Sequence, residues 1–157
     1  MPDAGGSSKS FDLTPPSAEE RARIEKGLTA EERDVLLHHG TEAPFCGGLL
    51  NQKSAGTYCC RLCGLPLFRQ EAKFESGTGW PSFFAPYAPD NVKTIEDRSY
   101  GMVRTETVCG RCGSHQGHVF PDGPKPTRLR YCINSVSLTF VPDGAPLPDP
   151  LGRGDKL

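Results

Sequence analysis

No apolar run in this sequence approaches the ~18 residues that a membrane-spanning helix requires. The opening residues 1–11 (MPDAGGSSKSF) lack an apolar stretch like the core of a secretory signal, so a cytoplasmic protein without a membrane role is expected. An excess of one charge is also missing. Eighteen Lys and Arg stand against 19 Asp and Glu, giving a formal net charge of −1. The lack of a broad positive field weighs against phosphate binding as the main business. The only local basic cluster, Lys125, Arg128 and Arg130, is a thin footprint for nucleic acid. No internal repeat is present beyond two short cysteine pairs, and no conspicuous stripe for self-association, so a monomer is expected.

What the chain does have is turn formers. Eighteen Gly and 15 Pro make up about 21% of the 157 residues, against a usual ~12%. Short strands and loops should therefore outweigh helix. Residues 1–16, rich in Gly, Ser, Pro and Asp, read as a disordered tail. Residues 17–141 read as one domain, and 142–157 as an irregular C-terminal tail. Two Ser/Thr-x-x-Glu caps, Ser17 with Glu20 and Thr29 with Glu32, predict short helices near 18–26 and 30–38. Gly27 and Gly40 should end them, with His38 and His39 as dipole-favoured decoration of the second C-terminus. Beyond Gly40 the best strand candidates are 57–62, 103–108, 118–120 and 128–140, which predicts a mainly β domain.

A chain of this length hides roughly 68–70% of its unfolded surface and needs neither disulfide nor metal merely to fold. Its seven cysteines therefore call for a chemical reason. Four form two C-x-x-C pairs, Cys60/Cys63 and Cys109/Cys112, separated by 45 residues (64–108) and each followed by Gly, at 64 and 113. That pattern suits two tight knuckles turning four thiolates onto one structural zinc. A dithiol redox pair would want a βαβ frame that the sequence lacks, and disulfides are disfavoured without a secretory signal. Because the gap is long, the ion would join two distant segments of sheet.

Cys59, Cys46 and Cys132 remain. Cys59 adjoins Cys60 in a strand, where neighbours point to opposite faces, and reads as a core residue. Cys46 sits before Gly47-Gly48 in a loop that the glycines leave mobile, which suits an accessible thiol. In Arg130-Tyr131-Cys132-Ile133-Asn134, alternation puts Arg130, Cys132 and Asn134 on one face, and the neighbouring guanidinium should ease ionisation of the thiol. Farther on, Val136, Leu138 and Phe140 share the parity of Cys132, which requires a bulge or a strand covered on both faces. His115 and His118 would face opposite ways in a regular strand and reach one pocket only if Gly117 permits a bend or bulge.

Three segments, Ser76-Gly77-Thr78-Gly79-Trp80-Pro81-Ser82-Phe83, then Cys109 to Gly123 (CGRCGSHQGHVFPDG), then Arg130-Tyr131-Cys132-Ile133-Asn134-Ser135, closely resemble the methionine sulfoxide reductase B family. The similarity runs from about Thr29 to Phe140. It implies an antiparallel β fold, one zinc held by Cys60, Cys63, Cys109 and Cys112, reduction of the R epimer of methionine sulfoxide, free or in proteins, and thioredoxin as reductant. Cys132 matches the family's nucleophile, ending as a sulfenic acid, and Trp80 the residue packed on the substrate methyl. His115 and His118 match its proton donors and water organisers, Asn134 a hydrogen-bonding partner and Arg130 an activator. Phe120 and Phe83 are candidate pocket walls, with core packing an equal reading for each.

One departure matters. Where many members carry a resolving cysteine inside the Ser-Gly-x-Gly-Trp motif, this chain has Thr78. Cys46 is then the first candidate to form a disulfide with Cys132, Cys59 the second, and direct attack by the reductant a third route. Two readings from other classes compete with the reductase: a zinc-ribbon binding module without catalysis, and a general disulfide oxidoreductase using one C-x-x-C pair.

Overall fold

A computed structural model describes residues 11–45 and 47–152. Two helices come first, α1 (Ala18–Glu25) and α2 (Ala30–His38). Both open on complete capping boxes: the Ser17 and Thr29 hydroxyls accept from the amides of Glu20 and Glu32, whose carboxylates accept from the cap amides in return. The first helix buries none of its residues and is tied down by its arginines, Arg21 Nη1 donating to the Cys112 carbonyl at 2.7 Å and Arg23 Nη1 to the Pro150 carbonyl at 2.9 Å. The second buries Val35 and Leu36. Its end departs from expectation, since the left-handed residue is His39 (φ 60) and not Gly40. A side chain in that conformation is disfavoured unless something holds it, and here Glu106 holds the imidazole at 2.7 Å.

Nine antiparallel strands follow among the described residues: β1 (Gly56–Cys60), β2 (Pro66–Arg69), β3 (Lys73–Phe74), β4 (Ser82–Phe83), β5 (Val92–Asp97), β6 (Arg104–Cys109), β7 (His115–Phe120), β8 (Arg130–Ile133) and β9 (Leu138–Pro142). One sheet runs β2-β1-β9 and the other β3-β4-β8-β7-β6-β5. Aromatic side chains from both sheets meet in the core. Tyr58 of β1 and Phe68 of β2 close on Phe83 of β4, with ring centroids 5.0 and 4.4 Å away, and Phe68 lies 5.7 Å from Tyr131 of β8. Such pairs add ~0.5–1.5 kcal/mol each beyond the area they bury. Phe11 and Leu13, ahead of the helices, and Leu151, after β9, also pack on this core. No helix of the described residues is long and apolar enough to cross a membrane.

The predicted strand over 128–140 is two strands in two sheets. After Ile133 the chain makes a 3₁₀ turn, Ser135–Ser137, and re-emerges as β9 beside β1. This crossover is the physical reason for the parity change after Cys132. Within β8 the expected alternation holds, with Tyr131 and Ile133 buried and Arg130 and Cys132 facing away from the core. The register of β6 on β7 skips Gln116, so Thr107 faces Gly117 while Val108 faces His115. That bulge turns His115 and His118 toward each other, their ring centroids 5.7 Å apart.

At Gly117 the β8 backbone leaves no room for a side chain on β7. A Cβ there would stand 2.0 Å from the Cys132 carbonyl oxygen. Gly117→Ala is therefore expected to push the strands apart and destabilise the fold by about 1–3 kcal/mol. Urea unfolding checks this, and an unchanged midpoint would show that the pair can part at no cost.

Candidate active site

On the face of β7 and β8 turned away from the core lies a cleft of about 280 Å³. Cys132 sits within it, directly opposite His118 on β7 and Ser82 on β4. Trp80, Phe120, Thr78, Arg104 and Asn134 line the rest. The loop before β1 braces this wall: the Glu42 carbonyl accepts from Trp80 Nε1 at 2.9 Å, and its amide donates to Asn134 Oδ1 at 2.9 Å. Asn134 Nδ2 donates in turn to the Gln116 carbonyl at 3.1 Å, at the bulge itself. A chain of hydroxyls reaches the thiol from the other side. Ser82 Oγ donates to Ser76 Oγ at 2.7 Å, Ser76 and Thr78 are 2.8 Å apart, and Thr78 Oγ1 lies 3.8 Å from Cys132 Sγ.

Burial pushes the Cys132 thiol up, and the Thr78 hydroxyl and Arg130 guanidinium that pull it down do not offset this. Arg130 eases ionisation as expected, but burial outweighs it. Most of the guanidinium is engaged by others, its Nε and Nη2 donating to Asp122 at 2.8 and 3.2 Å while it stacks 4.4 Å above the Phe120 ring. Each histidine is held by a carboxylate. His118 Nε2 meets Asp97 Oδ2 at 2.8 Å, and His115 Nδ1 meets Glu106 Oε2 at 2.7 Å. Burial lowers the His115 imidazole more than Glu106 raises it, favouring the neutral ring. Glu106 Oε2 also binds His39 Nδ1 at 2.7 Å, so His39 belongs to this network and is more than the helix-end decoration expected of it.

The structure brings Cys132, His118, Asn134, Arg130, Trp80 and Phe120 to one cleft. His115 lies beside it, lining an adjoining cavity with His39, Glu106 and His118. Phe83 is corrected as a pocket wall: it is fully buried, stacked on Phe68, because its side chain points to the core face of β4. Cys59 is fully buried and its thiol is pushed up to about 12, first by burial and then by neighbouring Cys60, which makes it a core residue and a poor resolving thiol. Cys46 lies outside the described residues. Of its neighbours, the Phe45 amide donates to the Gly79 carbonyl at 2.7 Å and Gly47 is set against Glu42 and Ser135. The sequence reading missed Glu42, Asp97, Arg104 and Glu106. Acidic or basic residues on strands that read as solvated carry no signal of what they face.

Away from the cleft, the two C-x-x-C knuckles are copies of one another. The amides of Gly64 and Gly113, both at positive φ, donate to the carbonyls of Cys60 and Cys109 at 2.9 Å, while the Cys60 and Cys109 amides donate to the Leu65 and Ser114 carbonyls. All four sulfurs lie within 4.8 Å of one another. The Cys63–Cys109 and Cys60–Cys112 separations are 3.5 and 3.7 Å. Sulfurs bound tetrahedrally at ~2.3 Å would be about 3.8 Å apart, so the donor set fits a metal ion of that size.

A family model described as the SelR domain matches residues 28–142. The peptide methionine sulfoxide reductase MsrB of Caulobacter vibrioides (strain NA1000 / CB15N) is 74% identical over 151 residues, covering 96% of this chain and 95% of its own length. The MsrB of Xylella fastidiosa (strain M23) is 62% identical over 146 residues, covering 93% and 94%. That of Saccharophagus degradans is 55% identical over 118 residues, covering 75% and 88%.

The raised Cys132 thiol fixes the direction of its pH response. Alkylation by iodoacetamide in the resting protein should rise with a midpoint above the ~8.5 of an ordinary cysteine. Removing the Thr78 donor takes away a pull toward the thiolate, so Thr78→Val should slow alkylation of Cys132 at pH 8. A Cys132 midpoint below 8, or a faster Thr78→Val variant, would contradict the balance described above.

Proposed function

The chain belongs to the SelR-domain family of MsrB-type peptide methionine sulfoxide reductases, and from that premise we propose that it reduces the R epimer of methionine sulfoxide, free or in proteins, through Cys132. The observation that carries this reading is a half-buried thiol in a cleft with an indole and a phenyl ring for walls and an imidazole directly across the strand pair. Sulfoxide reduction needs those three groups: a sulfur nucleophile, a proton for the oxygen, and an apolar seat for the methyl. Trp80 and Phe120 seat the methyl and side chain. The Cys132 thiolate attacks the substrate sulfur while the imidazole protonates the oxygen. The hydroxyl then passes from the substrate sulfur to the Cys132 sulfur, the S–O bond to the substrate and the bond between the two sulfurs break, methionine leaves with the electron pair on its sulfur, and Cys132 is left as a sulfenic acid.

With Thr78 unable to form a disulfide, resolution falls to Cys46. Its thiolate attacks the Cys132 sulfenic acid, a disulfide forms and hydroxide leaves as water, and a thioredoxin dithiol then reduces the bond. What supports this is the anchoring of Phe45 to Gly79 beside Thr78 and the Gly47-Gly48 pair that follows Cys46, which suits a travelling loop. The unpaired buried thiols suit a reducing compartment, the cytoplasm.

Assay of the separated epimers with dithiothreitol should show turnover of R alone, and Cys132→Ser should lose it by at least about 10³-fold. Turnover of neither epimer by the folded wild type would sink the reading. After one turnover without reductant, peptide mapping should find Cys46 joined to Cys132; free Cys46 beside a sulfenic acid would hand resolution to the reductant itself.

The four-cysteine cluster is assigned one structural zinc per chain, tying the turn after β1 to the turn between β6 and β7 and taking no part in the chemistry. Metal analysis should return one zinc that survives mild reductant. Its removal by chelator should cost several kcal/mol, lowering the melting temperature on the order of 10 °C. A metal-free protein of unchanged melting temperature would refute the assignment.

A further inference from the structure

The two imidazoles beside Cys132 are tied by different nitrogens. A carboxylate can only accept, so the nitrogen that faces it carries the hydrogen. For His115 that nitrogen is Nδ1, held by Glu106, and its Nε2 is buried with no partner among the described residues. A neutral ring so placed offers an acceptor. His118 has the opposite arrangement, with Nε2 on Asp97 Oδ2, which leaves Nδ1 as the nitrogen available to a substrate. His118 is also the one of the two that lines the cleft and stands opposite Cys132 in the register. Asp97, at the end of β5, is itself fixed: the Ser99 amide donates to its Oδ1 at 2.9 Å, and Arg104 reaches its Oδ2 at 3.3 Å. The Ser99 amide first, and His118 next, hold its carboxyl well below the usual carboxylate range, so it is ionised whenever the enzyme works.

We propose that Asp97 is a positioning residue of the reductase, fixing His118 with its hydrogen on Nε2 so that Nδ1 of the imidazolium hands the proton to the sulfoxide oxygen, while His115, turned the other way by Glu106, serves as an acceptor. The proton passes from Nδ1 to the oxygen as the Cys132 sulfur bonds to the substrate sulfur, and His118 is left neutral with Nε2–H still on Asp97. The arrangement is that of a carboxylate orienting a base by one ring nitrogen so that the other can act. Other charged or titratable groups around His118 are His39 after α2, Arg104 and Glu106 of β6, His115 of β7, and Arg130 and Cys132 of β8; Asp97 is the only carboxylate bonded to its ring among the described residues.

This inference rests on the reductase reading above, and its test separates the two. With the R epimer, Asp97→Ala should lower kcat about 10- to 100-fold with KM changed less than about twofold, since orientation matters in the transition state and little in binding. Asp97→Asn, which restores an acceptor oxygen, should recover part of the loss. His118→Asn should cost about 10²–10⁴-fold, and adding Asp97→Ala to it should cost no more than about twofold, because the carboxylate acts through the ring. Independently of turnover, ¹⁵N-edited spectra of the resting wild type should place the hydrogen of neutral His118 on Nε2. A hydrogen on Nδ1 overturns the inference even if Asp97→Ala fails to fold. An active wild type whose Asp97→Ala variant keeps its kcat, or loses the same factor with and without His118, overturns the inference alone. A wild type that reduces neither epimer overturns the reductase reading and this inference with it.

Discussion

The approach of β7 to β8 at Gly117, where a single missing Cβ lets the Cys132 carbonyl come close, sets the geometry of everything around it. From that contact the register runs His118 opposite Cys132, Val119 opposite Tyr131 and Phe120 opposite Arg130. One face of the pair therefore delivers Tyr131 and Ile133 to the core, and the other delivers thiol, imidazole, phenyl ring and guanidinium to the cleft. The adjoining skip at Gln116 brings the second histidine to the same side, and the Gln116 carbonyl released there takes the amides of Asn134. Fold and site are two faces of one strand pair, so neither can shift without the other.

The environment of Cys132 trades reactivity in the resting state for strength at the moment of reaction. Burial beside Trp80 and Phe120 takes Cys132 partly out of solvent, which raises the thiol and also makes each donor aimed at it count for more than it would in water. Arg130 illustrates the limit of reading charge from sequence neighbours. Its guanidinium divides its attention between Asp122, the Phe120 ring and Cys132, and the bidentate carboxylate takes the largest share. What such a residue does best is fix shape: it clamps Phe120 against the cleft while keeping a positive charge at its edge.

Much of this was legible in the residues, for reasons that differ by element. Capping boxes are local chemistry, so α1 and α2 lie within a residue of their predicted ends. The cysteine knuckles are local too, each needing only four residues and a glycine, and their symmetry follows from repeating the same short motif. Alternation placed Arg130, Cys132 and Asn134 on one face, and the broken parity beyond them marked the crossover between sheets without saying which irregularity produced it. The strands β2 to β5 were not anticipated because they are short, bounded by Pro and Gly, or polar along one edge, and they exist through pairing with strands distant in sequence. Asp97 and Glu106 escaped notice for a related reason. Their function is set by what the neighbouring strand places opposite them, a property of register that no local pattern encodes. Phe83 was misplaced by its motif company, since Trp80 and Phe83 lie three residues apart in one segment yet face the cleft and the core respectively.

Thr78 shows how a single substitution within a motif redistributes chemistry. A cysteine facing Cys132 from this position could both share hydrogen-bond contact with it and later capture its oxidised sulfur. A threonine can do only the first. Its hydroxyl ends a chain that begins at Ser82 on the adjacent strand, so the contact with Cys132 is backed by ordered donors and not by a free rotor. The second task must pass to a thiol that can reach the cleft. Cys59 has the wrong face and no exposure, and the four knuckle cysteines are committed to one another. Phe45, the residue before Cys46, is hydrogen-bonded to Gly79, one position from Thr78, which is the observation that favours Cys46 for the task. Under the proposed assignment, the hydroxyl beside Cys132 and the resolving thiol belong to different segments, so the first can be held by the Ser76–Ser82 chain without constraining the second.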